Sequence, residues 1–156
     1  MNKLQELPKK IPVFPLSNFI IFPKSIVPLN IFEPRYIEMI NDCMKKDRII
    51  GMIQPLESTK DSPELHKIGC AGKITSFNET EDGRYLIVLN GISRFRILNE
   101  NQSGKLYREC TVDFREFLED VNENKLKKDL NLDELFKKFK TLFSKEGYAI
   151  NWRDLE

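Results

Sequence analysis

The only histidine of the chain, His66, is the first residue to test for catalysis, and it lies in the polar segment SPELHK. Most nucleophilic mechanisms need a base beside the attacking group, and a histidine in such a segment is typically solvated. Serine–lysine dyads need no histidine, but nothing around Ser17, Ser25 or Ser144 supports one. The G-x-S-x-G, H-E-x-x-H and G-x-G-x-x-G motifs are absent. The residues therefore predict a protein that is not an enzyme.

The segment GCAGK, residues 69–73, has the glycine and lysine of a phosphate-binding loop but not its spacing. That motif needs a glycine five positions before Gly72, where this chain has Lys67. It also needs a serine or threonine after the lysine, where this chain has Ile74. We therefore predict no nucleotide site and no cofactor.

The three cysteines, Cys43, Cys70 and Cys110, are odd in number and far apart in the sequence. Disulfide frameworks and paired-cysteine metal sites use even numbers or close spacing, so both are disfavoured. We expect three buried thiols that behave as small hydrophobic residues, no metal site, and a reducing cytoplasmic environment.

The charge balance excludes the usual electrostatic basis for binding nucleic acid or anionic membranes. The 156 residues include 25 basic and 24 acidic side chains, which give a formal net charge of +1. The opening residues lack the apolar run of a signal peptide, and no segment has the roughly 20 apolar residues of a membrane span. We expect a cytoplasmic domain that does not bind membranes.

Prolines interrupt the apolar segment of residues 11–29 every few positions, at Pro12, Pro15, Pro23 and Pro28. Because proline cannot donate a backbone hydrogen bond, it is confined to sheet edges, strand starts and bulges. This spacing predicts several short, bent strands, as in a small irregular barrel.

A helix is predicted at residues 34–46. Pro34 suits the first helical turn, where its missing N–H would have no partner, and Glu33 lies beside the positive helix end. Tyr36 and the apolar residues after it recur at helical spacing, so Tyr36 should pack inward.

Strands resume after this helix. The Asp-Gly pair in residues 81–83 predicts a hairpin turn. The segment RYLIVLNG, residues 84–91, is apolar on both faces and predicts a strand buried on both sides. Residues 110–115 alternate between apolar and polar types, which predicts a half-exposed strand.

From residue 119 the composition changes, which predicts a β subdomain at residues 1–118 and a helical subdomain, truncated here, at 119–156. Asn131 can cap a helix, with Glu134 three residues later. Leucine and phenylalanine then form one apolar stripe at helical spacing that should pack in a core, and Gly147 ends the helix.

Two segments carry a family resemblance: residues 7–36, ending in NIFEPRY, and roughly residues 69–114, which include EDGRYLIVLNGISRFRI. They resemble the N-terminal (substrate-binding) domain of Lon protease. The FEPR form is similar to stand-alone Lon-domain proteins of bacteria. The resemblance implies an α+β fold: a PUA-like, six-stranded, bent β pseudo-barrel with one crossing helix, followed by a helical C-terminal subdomain.

The resemblance also implies a function. In that family the domain recognises unfolded or tagged protein segments and helps subunits associate, so the expected partners are such polypeptides, a protease or a second copy. The ATPase and peptidase modules of the protease have no counterpart in this sequence. The alternative is RNA binding, as in other PUA-like folds. Basic residues beside aromatics, at residues 84–85 and 94–96, would serve it, although the balanced charge argues against it.

The candidate peptide-binding residues are apolar side chains expected on loops and edge strands: Phe19, Ile20, Phe77 and Phe117. Core packing is the alternative role for each of them. Exposed strand edges could also accept an extended peptide by strand addition. Residues 33–36, Glu-Pro-Arg-Tyr, are expected to form a corner of the fold, with Glu33 paired to Arg94 because a buried arginine needs a partner.

Overall fold

A computed structural model of the chain describes residues 7–56, 62–121 and 131–147. Contacts divide the chain into two units, residues 1–123 and 124–156. The division falls after residue 123, whereas composition placed it after residue 118. Each unit is described separately below.

The first unit contains six strands: β1 (Lys10–Pro15), β2 (Ile26–Ile31), β3 (Ile49–Ile53), β4 (Ile68–Glu79), β5 (Tyr85–Asn101) and β6 (Arg108–Asp113). They form one sheet in the order β2-β5-β4-β3-β1-β6, and β5 also pairs with β6. This last pairing closes β1, β3, β4, β5 and β6 into a barrel, with β2 as an outer edge strand. All pairs are antiparallel except β1 with β3. The predicted bent β pseudo-barrel is confirmed.

Three prolines inside these strands occupy positions where the strand has a neighbour on one side only. Pro12 is paired with β6, Pro15 with β3 and Pro28 with β5. A missing N–H costs nothing on an unpaired side. Pro28 lies in an edge strand, as predicted, whereas Pro12 and Pro15 lie in the internal strand β1.

The predicted helix is α1, Pro34–Met44, and it ends two residues before the predicted limit. Pro34 is its first residue, and Glu33 precedes it without forming a side-chain cap. The helix buries Tyr36 and the apolar residues on the same face. The ring of Tyr36 lies 4.1 Å, centroid to centroid, from that of Phe14 in β1. Tyr36 therefore packs inward, as predicted.

Two apolar cores lie on opposite faces of the sheet. One fills the barrel around Phe95, which is fully buried, and the other lies beneath α1. β3 contributes to both, and each of its residues is buried. The prediction that residues 84–91 form the strand buried on both faces is therefore wrong. Leu86 and Val88 lie on the outer side of the sheet, and Leu86 is 43% exposed.

The hairpin and the half-exposed strand are both found where the sequence predicts them. Gly83 has a φ of +78° in the turn between β4 and β5, where the backbone of Thr80 bonds to that of Arg84. In and after β6, Cys110, Val112 and Phe114 are buried, whereas the residues between them are partly exposed. All three cysteines are free and buried.

The first unit ends with a 3₁₀ turn, Arg115–Phe117, and a short helix α2, Leu118–Val121. The described part of the second unit is α3, Leu132–Lys145, in which Asn131 accepts a hydrogen bond from the backbone of Glu134. The apolar stripe of α3 is not the core that its spacing predicts, because Leu135, Phe139 and Leu142 are exposed. No helix in the described ranges is long and apolar enough to cross a membrane.

Candidate functional site

An open groove of about 630 Å³ lies on the first unit. Its floor is formed by the end of β3 and the start of β4, and its walls by the described parts of two loops: the 16–25 loop, and residues 54–56 and 64–67 of the 54–67 loop. The apolar side chains that it exposes come from both walls and from the start of β4: Ile20, Phe22, Leu56 and Ile68. Each of these four is between 43% and 66% exposed. So much uncovered apolar surface in one concave site is typical of a ligand groove.

The 16–25 loop is held against β5 by backbone hydrogen bonds. The N–H of Lys24 donates to the carbonyl of Gly91, and the N–H of Gly91 donates to the carbonyl of Ser25, both at 2.8 Å. The hydroxyl of Ser25 donates to the carbonyl of Phe22 at 2.7 Å. A Cβ atom on Gly91 would lie 2.0 Å from that carbonyl oxygen. Glycine is therefore required here so that the loop can approach the strand.

The 54–67 loop forms the other wall, and its described ends pair with each other. Leu56 donates its N–H to the carbonyl of Glu64 at 2.8 Å, and His66 donates its N–H to the carbonyl of Gln54 at 3.0 Å. Pro55 and Leu65 form an isolated bridge between these two bonds. Backbone pairing thus fixes the base of this wall.

The groove holds no activated nucleophile among the described residues. Cys70 lies in the floor, but burial raises the pKa of its thiol to about 12, and the nearby Asp120 carboxylate adds to the effect. The thiolate is the nucleophilic form, so Cys70 is unreactive near neutral pH. The side chain of His66 lines the groove and has no hydrogen-bond partner in the described part of the chain.

One charged side chain, Arg94 in β5, lies beside the floor and is fixed from two directions. Its Nε and Nη2 donate to the two carboxylate oxygens of Asp120 in α2, at 2.9 and 2.8 Å. Its guanidinium carbon lies 4.6 Å from the centre of the Phe117 ring. Arg96, two residues further along β5, binds Glu116 in the same two-pronged way. These two arginine–carboxylate ion pairs hold residues 115–121 against β5 of the barrel.

The predicted pair of Glu33 and Arg94 is wrong. Arg35, two residues from Glu33, donates to its carboxylate from Nε at 2.9 Å and from Nη2 at 2.7 Å. Arg94 is half exposed rather than buried, and its partner is Asp120. The physical reason is local, because Arg35 in the first turn of α1 already pairs with Glu33. Residues 33–36 form a corner of the fold outside the groove lining.

The structure separates the four predicted peptide-binding residues. Phe19 and Ile20 line the groove, although Phe19 is half-buried against the core beneath α1. Phe77 lies outside the groove and packs edge-on against Tyr85. Phe117 is buried beneath Arg94, so its assignment as an exposed contact is wrong: the 3₁₀ turn directs it inward.

Sequence reasoning missed Phe22, Leu56 and Ile68, which contribute more exposed apolar area than Phe19. Each stands next to a loop signal: Phe22 precedes a proline, Leu56 follows one, and Ile68 opens a strand after a polar loop. That signal alone would not have identified them, because Ile11 and Val13 also flank a proline and are fully buried.

Comparison with known proteins gives a family match over nearly the whole chain. Residues 10–153 match the family described as the ATP-dependent protease La (LON) substrate-binding domain. The Lon protease of Syntrophus aciditrophicus is 27% identical over 150 residues, which is 92% of this chain and 18% of that protein. Lon protease 2 of Sorangium cellulosum is 32% identical over 91 residues, 56% of this chain and 11% of that protein. The chain thus spans less than a fifth of either protease.

Two solved structures share the fold. The Lon N-terminal domain protein from Xanthomonas campestris superposes with a TM-score of 0.62 at 22% identity, covering 85% of this chain and 73% of that one. The N-terminal domain of the Mycobacterium avium complex Lon protease gives a TM-score of 0.60 at 16% identity, covering 89% and 70%. At these identities the likeness concerns the fold alone.

Proposed function

Because the chain belongs to the family of LON substrate-binding domains, we propose that it binds unfolded or tagged polypeptide segments in the groove and catalyses no reaction. The observation that carries this proposal is the apolar groove itself. Its two walls expose Ile20, Phe22 and Leu56 to solvent, over a floor that the folded chain itself forms. An extended polypeptide that lacks its own core could cover these side chains.

The energetics favour a modest, reversible interaction. Covering one large apolar side chain contributes about 1.5–3 kcal/mol, and part of this is offset by ordering the ligand. Three or four such contacts give binding without selectivity for one sequence, which suits the recognition of unfolded chains. The outer edge of β2 is a weaker site for strand addition, because Pro28 lacks an N–H to donate and interrupts the row of backbone bonds.

RNA binding is the less favoured alternative. The arginines that stand beside aromatic residues are each held by a carboxylate: Arg84 by Asp82, Arg94 by Asp120 and Arg96 by Glu116. Phosphate contacts would have to compete with these pairs. A salt titration separates the two functions, because phosphate binding weakens steeply with salt and an apolar interface does not.

The experiment that tests the proposal compares two phenylalanines of equal exposure. Phe22 lines the groove, and Phe32, at the end of β2, does not; they are 66% and 64% exposed. Binding of a permanently unfolded, alkylated polypeptide is measured by fluorescence anisotropy. Phe22→Ser should weaken binding by roughly tenfold, the equivalent of one lost apolar contact, whereas Phe32→Ser should leave it unchanged. Equal effects of the two substitutions, or no binding by the unmodified chain, would contradict the proposal.

A further inference from the structure

Two basic side chains, Lys67 and Arg94, line the mostly apolar groove. We propose that they select the ligand: the groove favours an apolar segment that carries an acidic side chain, whose carboxylate binds Arg94 and Lys67. This inference rests on the proposed function and adds a charge requirement to it.

Arg94 retains donors for a ligand although it is already paired. Asp120 accepts from Nε and Nη2, and no described residue accepts a hydrogen bond from Nη1. The side chain of Arg94 is 49% exposed, whereas that of Asp120 is 10% exposed. Arg94 is therefore the accessible member of the pair, and it contributes to the groove lining.

The guanidinium is also held in one orientation before any ligand arrives. Asp120 binds it with two hydrogen bonds, and Phe117 supports its plane from below. A flexible arginine loses rotamer freedom when it binds a carboxylate, but a fixed one loses little. This fixed geometry turns a surface arginine into a specific recognition group.

Asp120 offsets the positive charge of Arg94 but not that of Lys67. It directly precedes β4, whose residues Ile68 and Cys70 pair with Arg96 and Arg94 across the sheet. Among the described residues Lys67 has no ion-pair partner. A ligand carboxylate between Lys67 and Nη1 of Arg94 would meet two cations, and the apolar occupant around it would exclude water and strengthen both contacts.

A basic ligand side chain could pair with Glu64 in the groove. Glu64 is the acidic residue of the described groove lining, and it lies in the same loop as Lys67, whereas Arg94 lies in β5. A ligand lysine would find one carboxylate and two cations in this lining. The arrangement therefore predicts the order acidic, then neutral, then basic for otherwise identical ligands.

The test uses apolar peptides blocked at both ends, in which glutamate, glutamine or lysine is placed at each position in turn. At its best position the glutamate peptide should bind roughly three- to tenfold more tightly than the glutamine peptide, and lysine should bind most weakly. A further peptide has a free C-terminal carboxylate and no acidic side chain. It tests whether the groove binds the carboxylate at the end of a chain instead of an acidic side chain. Preference for that peptide alone would overturn the assignment to an acidic side chain.

Arg96 provides the matched control. It forms the same two-pronged bond with a carboxylate of residues 115–121, yet it does not line the groove. Arg94→Gln should abolish the preference for glutamate over glutamine, Lys67→Gln should reduce it, and Arg96→Gln should leave it intact. Equal losses of the glutamate preference in Arg94→Gln and Arg96→Gln would overturn the proposal. They would indicate that any loss of positive charge near the groove has the same electrostatic effect.

Lys67→Gln keeps the proposal testable if Arg94→Gln fails to fold, since Lys67 is exposed and unpaired within the described ranges. An unchanged glutamate preference in that variant would count against the proposal. Equal binding of glutamate and glutamine peptides at every position would refute the charge requirement and leave the proposed function standing. Failure of every apolar peptide to bind would refute the proposed function itself.

Discussion

Replacing Gly91 with alanine should displace the 16–25 loop and remove one wall of the groove. The new Cβ atom would lie 2.0 Å from the carbonyl oxygen of Phe22, and such contacts are essentially never shorter than 3.0 Å. The loop must therefore retreat by at least about 1 Å. The two nearest atoms belong to the backbone of Phe22, so no side-chain rotation can relieve the contact.

The cost follows from the bonds that this movement breaks. The two hydrogen bonds that join Gly91 to Lys24 and Ser25 are 2.8 Å long, and a retreat of about 1 Å takes them beyond hydrogen-bonding distance. At a net 0.5–1.5 kcal/mol each, their loss lowers the free energy of unfolding by about 1–3 kcal/mol. The melting temperature should fall by several degrees, as measured by circular dichroism.

Peptide affinity should fall further than stability alone explains, because Ile20 and Phe22 move with the loop. Gly104→Ala is the control. Gly104 has a φ of +67° and open space around its Cβ position, so alanine there costs roughly 1–2 kcal/mol of backbone strain without touching the groove. That variant should bind peptide normally below its melting temperature. If Gly91→Ala keeps both its melting temperature and its peptide affinity, the role assigned to the 16–25 loop is wrong.

Three further predictions concern other parts of the molecule. The Arg94 guanidinium holds the pKa of Asp120 below its usual range, so their pair stabilises the fold above the unfolded-state value of about 3.9 and loses this effect as pH falls through the lowered pKa. Arg94→Met should therefore destabilise by roughly 1–3 kcal/mol at pH 7 and by progressively less as the pH falls from about 4 through the lowered pKa, in urea titrations; an effect that does not shrink over this range would contradict this. Cys70 should resist thiol reagents at pH 8 until the protein unfolds, and rapid labelling of the native chain would refute the buried assignment. Asn131→Ala should lower stability of the α3 helix by about 1 kcal/mol and reduce the helical signal, whereas an unchanged spectrum would show that the bond to Glu134 is dispensable.

The sequence was sufficient where a local rule decides the structure. Pro34 begins α1, Gly83 forms the hairpin turn and Asn131 caps α3, because each of these depends on residues within one turn of chain. The interrupted strands could be predicted for the same reason, since proline acts on its own backbone.

Local rules could not predict which residues far apart in the sequence would contact each other. The sequence contains many carboxylates that could pair with Arg94. Its actual partner, Asp120, lies in a segment rich in acidic residues, where no local signal distinguishes it, whereas Glu33 lies in a family-like segment. The groove combines residues 19–22 with residues 52–56 and 64–70, which only the completed barrel brings together. The apolar residues of 84–91 did not reveal that one face would remain uncovered, because exposure depends on what packs against a strand.

The position of β1 has a consequence for how the protein folds during synthesis. β1 pairs with β3 on one side, but its other neighbour is β6, where Lys10 meets Thr111. The barrel therefore cannot close until nearly the whole first unit has left the ribosome, and such distant pairings form slowly. Until then the β6-facing side of β1 is an open template for another nascent chain.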